Sequence, residues 1–131
     1  PGGGVCQGTT TLYNCVLLAD LEVVFRACHG VKVGYVPLGL DAAVNFLTTD
    51  FQFRNNFHFP IQLRAWLEDE HVKMQILGID EKDYYIKMET GSGEDEYAWY
   101  ARSYKCKYDK ETDELISRDI ETYSTYYKDI G

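Results

Sequence analysis

The sequence lacks any apolar run long enough to cross a membrane, because its longest apolar stretches stay far below the roughly 18 residues that a spanning helix needs. It also lacks the GxSxG, HExxH and P-loop motifs of common hydrolases, metalloproteases and nucleotide-binding enzymes. The sequence therefore assigns no catalytic residue. We leave enzymatic activity open and favour a protein that is not an enzyme.

Metal-ligand spacing is scarce as well. The chain contains no CxxC pair, and its three histidines are scattered at His29, His58 and His71. Zinc sites in proteins use clustered cysteines and histidines at short, recurring spacings. We therefore predict no bound metal and no cofactor.

The cysteines leave the cellular compartment open. They are Cys6, Cys15, Cys28 and Cys106. Four cysteines allow three disulfide pairings, and the sequence alone cannot choose among them. Because disulfides form in oxidising compartments, an exported and an intracellular location both remain possible at this stage.

The composition predicts one folded domain with an uneven charge. Of the 131 residues, 45% are hydrophobic and 26% are charged, as in ordinary globular proteins, so we expect a single soluble domain over residues 1–131. The formal net charge is −8. Residues 1–64 hold four basic and four acidic side chains, so the whole carboxylate excess lies in residues 65–131. This charge opposes nucleic-acid binding and favours a protein partner with a basic patch. The oligomeric state stays open.

Alternating hydrophobicity predicts strands throughout the second half. Every other residue is apolar in residues 57–67, which is the period of a strand with one buried face. Further strands are predicted over residues 72–79, 83–90, 96–108 and 115–127. The polar turns between them cover residues 68–71, 80–83, 90–95 and 109–113. These turns are too short for the crossover that parallel strands require. The sequence therefore predicts a five-stranded antiparallel meander over residues 57–127.

Residues 12–37 fit two different structures. The apolar residues of 12–28 match a helical stripe that ends before Gly30, but they also match a hairpin that turns at His29 and Gly30. In a helix, Asp20 would lie within the apolar stripe, where a carboxylate without a partner is unfavourable. We therefore favour the hairpin and keep the helix as the alternative.

The predicted fold is β-rich, in the manner of a barrel or a sandwich. The alternative is an α+β fold in which an N-terminal helix packs on a curved sheet. Residues 1–11 are rich in glycine and threonine and are predicted to form a flexible arm. Asp41 is predicted to cap a short helix over about residues 41–48.

Tyrosine and the acidic turns indicate a candidate contact surface. There are 11 tyrosines, most of them in the last two predicted strands, where aromatic residues fall on both faces. Alternate turns of a meander share one end of the sheet, so two acidic turns should lie close together. The predicted contact residues are Tyr97, Trp99, Tyr100, Tyr104, Tyr123, Tyr126, Glu94, Asp95, Glu96, Glu68 and Asp69.

These features favour a binding domain whose acidic, tyrosine-rich sheet engages a basic protein partner. Carboxylates would speed the encounter, and tyrosines would hold the bound state. A carbohydrate-binding module is a further possibility, because flat aromatic rings also suit sugars.

Two resemblances to known folds concern parts of the chain. A helix or hairpin followed by a meander resembles the cup-shaped NTF2-like and calycin-like folds. This resemblance implies a small-ligand binder or a lyase-like enzyme, with a pocket formed by His58, Tyr84 and Trp66. Residues 20–39 resemble a strand pair in the capsid jelly rolls of picornavirus-like viruses, and no function is carried over from this resemblance. A viral or secreted structural protein is a further possibility, indicated only by the missing initiator methionine. Neither resemblance specifies an activity.

Overall fold

The computed structural model describes residues 2–45 and 49–129, which form one helix followed by seven strands. The elements are α1 (Gly2–Leu18), β1 (Glu22–Phe25), β2 (Gln52–Arg54), β3 (Gln62–Glu68), β4 (His71–Leu77), β5 (Tyr84–Glu94), β6 (Ala98–Asp109) and β7 (Leu115–Tyr127). The strands pair antiparallel in three separate sheets, and none of these sheets closes into a barrel. The predicted β-rich class is confirmed, together with the N-terminal helix of the alternative.

The helix α1 includes the segment that was predicted to be a flexible arm. Tyr13, Val16 and Leu17 follow one another at spacings of three and one, and all three are fully buried. This apolar stripe faces the interior, as in a typical surface helix. The arm prediction for residues 1–11 is therefore wrong over their described part. Within residues 2–45 and 49–129, no helix combines the length and the apolar character that crossing a bilayer requires.

Asp20, the residue on which the choice between helix and hairpin was made, lies just beyond the end of α1 and has partners. It follows α1 in the left-handed conformation, with φ at 58°. Its carboxylate accepts hydrogen bonds from Lys105 Nζ at 2.8 Å and from the Tyr84 hydroxyl at 2.5 Å. Burial alone would raise the pKa of Asp20, but these two bonds and the Lys105 charge hold it below its ordinary value. The hairpin over residues 12–37 was favoured because Asp20 was taken to have no partner in a helical stripe. That prediction was wrong, because Asp20 lies beyond the end of α1 and has two donors.

The strand β1 pairs with β2 and not with the residues that follow it. Glu22 lies opposite Arg54, and Val23 lies opposite Phe53. Residues 31–36 contain no strand, so the strand pair suggested by the jelly-roll resemblance is absent. The short helix over residues 41–48 is also wrong over its described part, because residues 41–45 are not helical; residues 46–48 lie outside the described residues.

The second half contains the five predicted strands in two sheets. β3 pairs with β4 through a two-residue turn, whereas β5, β6 and β7 form a separate three-stranded sheet. Each of these neighbouring pairs is antiparallel, as the short turns predicted. The prediction of one continuous five-stranded meander was wrong at one point, because β4 and β5 do not pair. Residues 78–83 connect the two sheets without strand structure.

The core lies between α1 and the segment that contains Leu40 and Ala42. Tyr13, Leu17, Leu40 and Ala42 form its buried cluster. Gly39 brings this segment against β6: its φ is 97°, and a Cβ built on it would lie 3.4 Å from the Ala101 Cβ. Only glycine adopts this backbone conformation readily, so Gly39 sets the close approach of the loop to the three-stranded sheet.

Candidate functional site

Alternation along β6 defines the two faces of the three-stranded sheet. Ala101 and Ser103 are buried against the core, whereas Tyr100 and Arg102 are exposed on the opposite side. The strand register places residues of β5 and β7 beside them. We call this exposed surface the outward face and define it by Glu89, Gly91, Gly93, Tyr100, Arg102, Tyr104, Arg118, Ile120 and Tyr123.

Two glycines open a depression in the outward face. Gly91 and Gly93 pair with Arg102 and Tyr100, and a Cβ built on either glycine would meet no atom within 4 Å. Because β5 contributes no side chain here, a depression of about 380 Å³ forms, lined also by Tyr104. These glycines were expected in a turn over residues 90–95, but strand pairing continues through them.

Cations lie over the tyrosine rings of the outward face. The Arg102 Cζ atom lies 5.8 Å from the Tyr123 ring centroid, and the Arg118 Cζ atom lies 3.9 Å from the Tyr104 centroid. Such contacts contribute about 0.5–1 kcal/mol each at exposed sites. Arg102 makes no salt bridge within the described part of the chain. The middle of the face is therefore locally positive, although the chain as a whole is acidic.

A buried thiol lies among these side chains. Cys106 is fully buried, and its Sγ lies 2.9 Å from Glu89 Oε2. Arg118 Nε lies 3.6 Å from the same carboxylate oxygen. Burial, followed by the hydrogen bond to Glu89, raises the pKa of Cys106 to about 11. Because thiol reactivity depends on the thiolate, we expect this cysteine to react slowly near neutral pH.

An acidic turn closes one end of the outward face. Asp95 accepts hydrogen bonds from the backbone N–H groups of Tyr97 and Ala98, at 2.8 and 2.9 Å, and from the Tyr100 hydroxyl at 2.9 Å. These hydrogen bonds lower the pKa of Asp95. Glu94 forms a salt bridge with Lys128. The turn therefore combines fixed carboxylates with exposed tyrosine rings.

The second predicted acidic turn lies in a different sheet. Glu68 and Asp69 belong to the β3–β4 hairpin, whereas Glu94, Asp95 and Glu96 belong to the β5–β6 turn. The expected shared sheet end required one continuous meander. The structure instead separates these two turns, and the β6–β7 turn at the other end of the three-stranded sheet is acidic as well, with Asp109, Glu111, Asp113 and Glu114.

The predicted aromatic residues divide between the two faces. Tyr100, Tyr104 and Tyr123 lie on the outward face. Trp99 points to the other side, where Lys32 Nζ and Lys128 Nζ lie 4.0 and 4.8 Å from its ring centroid. Tyr97 is exposed in the β5–β6 turn, and Tyr126 is fully buried.

Tyr126 belongs to a buried polar cluster around Asp41. The Asp41 carboxylate accepts hydrogen bonds from the Tyr126 hydroxyl, from His29 N at 2.8 Å and from Arg26 Nη2 at 3.2 Å; His29 Nδ1 also lies 2.6 Å away. Burial alone would raise the pKa of Asp41, but these hydrogen bonds and the Arg26 charge hold it below its ordinary value. Burial and the bond to Asp41 raise the pKa of Tyr126 to about 12.

This cluster connects distant parts of the chain. Arg26 also donates to the carbonyl oxygens of Asp41 at 2.8 Å and Gly39 at 3.1 Å, and to Ser124 Oγ at 2.8 Å. Each side-chain nitrogen of Arg26 and each carboxylate oxygen of Asp41 therefore has a hydrogen-bond partner. The cluster is suited to holding β7 against the loop that contains Gly39, because a satisfied buried network fixes one arrangement of its elements.

The residues of the alternative pocket do not meet in one cavity. Tyr84 lines a depression of about 200 Å³. His58 lines another of about 150 Å³. Trp66 lies on β3, where the Arg64 Cζ atom is 5.7 Å from its ring centroid. Neither of these two depressions is lined by more than one of the three side chains.

Comparison with known protein families identifies the first part of the chain. A family model described as VanW like protein matches residues 1–77, which is more than half of the 131 residues. The chain belongs to the VanW-like family. The match extends from α1 through β4, so it includes the Asp41 cluster's residues Arg26, His29 and Asp41.

Two curated relatives cover different shares of this VanW-like chain. It is 47% identical over 64 residues to the uncharacterized protein YoaR of Bacillus subtilis, which covers 49% of the chain and 21% of YoaR. It is 28% identical over 96 residues to the vancomycin B-type resistance protein VanW of Enterococcus faecalis, which covers 70% of the chain and 35% of that protein. The chain thus matches about a fifth of one relative and about a third of the other. No solved structure matches the chain.

The outward face lies beyond the residues matched by the VanW-like model. Sequence reasoning identified its tyrosines but missed Arg102, Gly91 and Gly93. A signal was present in the period-two series of Tyr100, Arg102 and Tyr104. The Asp41 cluster had no comparable signal, because Arg26 and Ser124 are separated by 98 residues.

Proposed function

We propose that this VanW-like chain is a non-enzymatic binding domain. In this proposal the outward face holds a protein partner, and the acidic β5–β6 turn receives the basic groups of that partner. The observation that carries the proposal is the exposed tyrosine surface, which includes Tyr100 at 43% and Tyr123 at 68% exposure. The Arg102 guanidinium lies 5.8 Å from the Tyr123 ring centroid, and both tyrosines keep these exposed fractions beside it.

The strand positions of these tyrosines suit them to recognition. Tyrosine provides a large contact area and a hydroxyl group at a low cost in side-chain entropy. Tyr100 and Tyr123 lie on long paired strands, which hold their backbone more precisely than loops would. Gly91 and Gly93 leave room beside them for an inserted side chain.

The charges favour a basic group at the acidic end of the face. The Tyr100 hydroxyl is bound by Asp95, so a cation that reaches this ring meets an aromatic surface and a carboxylate together. Glu94 and Glu96 are exposed in the same turn. The net charge of −8 would also attract a basic partner over longer distances.

The thiol environments support binding over nucleophilic catalysis. The four cysteines are unpaired, and each thiol donates to an oxygen acceptor. These acceptors are Val44 O for Cys6, Met74 O for Cys15, Thr125 O for Cys28 and a Glu89 carboxylate oxygen for Cys106. An activated cysteine requires an adjacent base or a lowered pKa. Burial instead raises the pKa of Cys15, as it does for Cys106.

Titration calorimetry with oligolysine and oligoglutamate peptides tests the proposal. We expect oligolysine to bind in a salt-sensitive manner and the double variant Tyr100→Ser/Tyr123→Ser to weaken this binding by at least about tenfold. The matched control is Tyr35→Ser, which alters a tyrosine of similar exposure outside the outward face. The control should stay within about twofold of the unmodified chain.

Two results would contradict this proposal. One is an absence of oligolysine binding, and the other is equal binding by the double variant and the unmodified chain. Vancomycin serves as a third probe because the VanW relative is named as a vancomycin B-type resistance protein. Binding of vancomycin at the tyrosines without any oligolysine binding would replace the protein partner with a small-molecule ligand.

A further inference from the structure

The outer edge of β3 has no backbone neighbour in the described structure. β3 pairs only with β4, and all seven residues of Gln62–Glu68 are exposed. An unpaired strand edge offers a row of N–H and C=O groups to another strand. A lone two-stranded hairpin is also only marginally stable in water. β3 is therefore placed to gain from an additional strand.

The hairpin turn determines which backbone groups are free. Asp69 and Glu70 have φ values of 52° and 65°, which is typical of a two-residue type I′ turn. In such a hairpin, Glu68 and His71 form a hydrogen-bonded pair, and the pattern alternates along the strands. The N–H and C=O groups of Leu63, Ala65 and Leu67 then point away from β4.

A contact on the other edge of the hairpin supports this alternation. Met74 lies opposite Ala65, and its carbonyl oxygen accepts a hydrogen bond from Cys15 Sγ at 3.4 Å. The Met74 carbonyl therefore points away from β3, as it must in a non-hydrogen-bonded pair. The Ala65 N–H and C=O groups point outward in the same way.

The free edge is also apolar and symmetric about Ala65. Leu63 and Leu67 lie two residues to either side of Ala65, on the same face of the strand. They are 49% and 75% exposed. Arg64 and Trp66 flank Ala65 on the opposite face. The strand therefore presents a pattern that a rotated copy of itself can match.

We propose that β3 pairs antiparallel with β3 of a second copy of this chain, with the two-fold axis at Ala65. The two hairpins then form one four-stranded sheet, and Leu63 lies opposite Leu67 of the second copy. Arg64 lies opposite Trp66 of the second copy and diagonally beside its Glu68, within reach of a long side chain. All outward N–H and C=O groups of Leu63, Ala65 and Leu67 find acceptors and donors.

The side-chain pattern favours a second copy as the occupant, and the charges modulate the pairing. The edge carries one cation, Arg64, and one carboxylate, Glu68, and pairing about Ala65 places Arg64 diagonal to Glu68 and also to Arg64 of the second copy. Outside this strand, each copy contributes the same excess of carboxylates, and the chain's net charge is −8. Salt screens such repulsion over distances of about 10 Å at 0.1 M. Association should therefore strengthen as the salt concentration rises.

Sedimentation analysis over a range of protein concentrations tests the pairing. We expect a reversible increase from the monomer mass of 15.1 kDa to twice that value. Ala65→Pro removes only an outward N–H, so the variant should stay monomeric while keeping its circular dichroism spectrum. Leu67→Lys should also be monomeric, whereas Ile116→Lys, an exposed control on β7, should dimerise normally.

A charge exchange tests the register. Arg64→Glu should weaken dimerisation, and adding Glu68→Arg to it should restore dimerisation to near the original level. A monomer at all concentrations and salt levels would refute the proposal. A dimer unaffected by both Ala65→Pro and Leu67→Lys would refute it as well, because another surface would then form the contact. These outcomes are independent of oligolysine binding at the outward face.

Discussion

Replacing Asp41 by asparagine should strongly destabilise the fold. The side chains of Asp41 and Arg26 are only 1% and 5% exposed, so the variant leaves a buried guanidinium without its counter-charge. Breaking a buried ion pair in this way costs about 3–5 kcal/mol. Arg26 keeps its bonds to two carbonyl oxygens and to Ser124, so we expect a loss near the lower end, about 3 kcal/mol.

Urea unfolding followed by circular dichroism measures this loss. For an m-value of about 2 kcal/mol/M, the midpoint should fall by about 1.5 M. Glu96→Gln is the matched control, because it removes one charge from an exposed turn and should change stability by less than about 0.5 kcal/mol. A loss below about 1 kcal/mol for Asp41→Asn would refute the assignment of Asp41 as the charge that balances Arg26.

The pH dependence provides an independent check on the same residue. The pKa of Asp41 is lower in the folded chain than its ordinary value, so the ionised carboxylate stabilises the fold above its unfolded pKa, which is about 3.9. This stabilisation is lost as the pH falls through the folded pKa. The difference in unfolding free energy between the unmodified chain and Asp41→Asn should therefore shrink in acid. An unchanged difference would contradict the reasoning.

Three further predictions concern single positions. Gly39→Ala should lose about 1–3 kcal/mol of stability in urea unfolding, because alanine is strained at a φ of 97°; no loss would contradict the left-handed backbone conformation at this position. Tyr84→Phe should lower stability by about 1–2 kcal/mol in the same assay, since Asp20 loses a donor; an unchanged midpoint would count against that bond. Cys106 should be the slowest thiol to react with a disulfide reagent at neutral pH, as peptide mass spectrometry can show, because burial raises its pKa to about 11; rapid labelling would contradict its burial.

Local patterns predicted the strands of the second half well. The predicted strand over residues 115–127 coincides with β7, and the one over residues 96–108 differs from β6 by one or two residues at each end. Alternation and turn residues act over a few positions, so the chain itself carries this information. The tyrosines of the candidate surface were identified for the same reason, because Tyr100 and Tyr104 lie within one strand.

The first half was predicted less well because distant contacts decide it. The helix α1 ends at Leu18, and Asp20 just beyond it is bound by Lys105 and Tyr84, which lie far away in the chain. Asp41 was expected to cap a helix, but its carboxylate is bound by Tyr126 and Arg26 from other parts of the chain. Neither set of partners can be deduced from neighbouring residues.

The sequence by itself determined the β-rich class, the antiparallel order of neighbouring strands and the location of the acidic excess. Alternation, turn length and composition are local or additive properties, so no folded structure is needed to derive them. Only the tertiary structure decided that the strands divide between β4 and β5, that the outward face combines glycines with Arg102, and that a buried carboxylate holds β7. These features depend on burial and pairing between residues far apart in the chain, which exist only once it has folded.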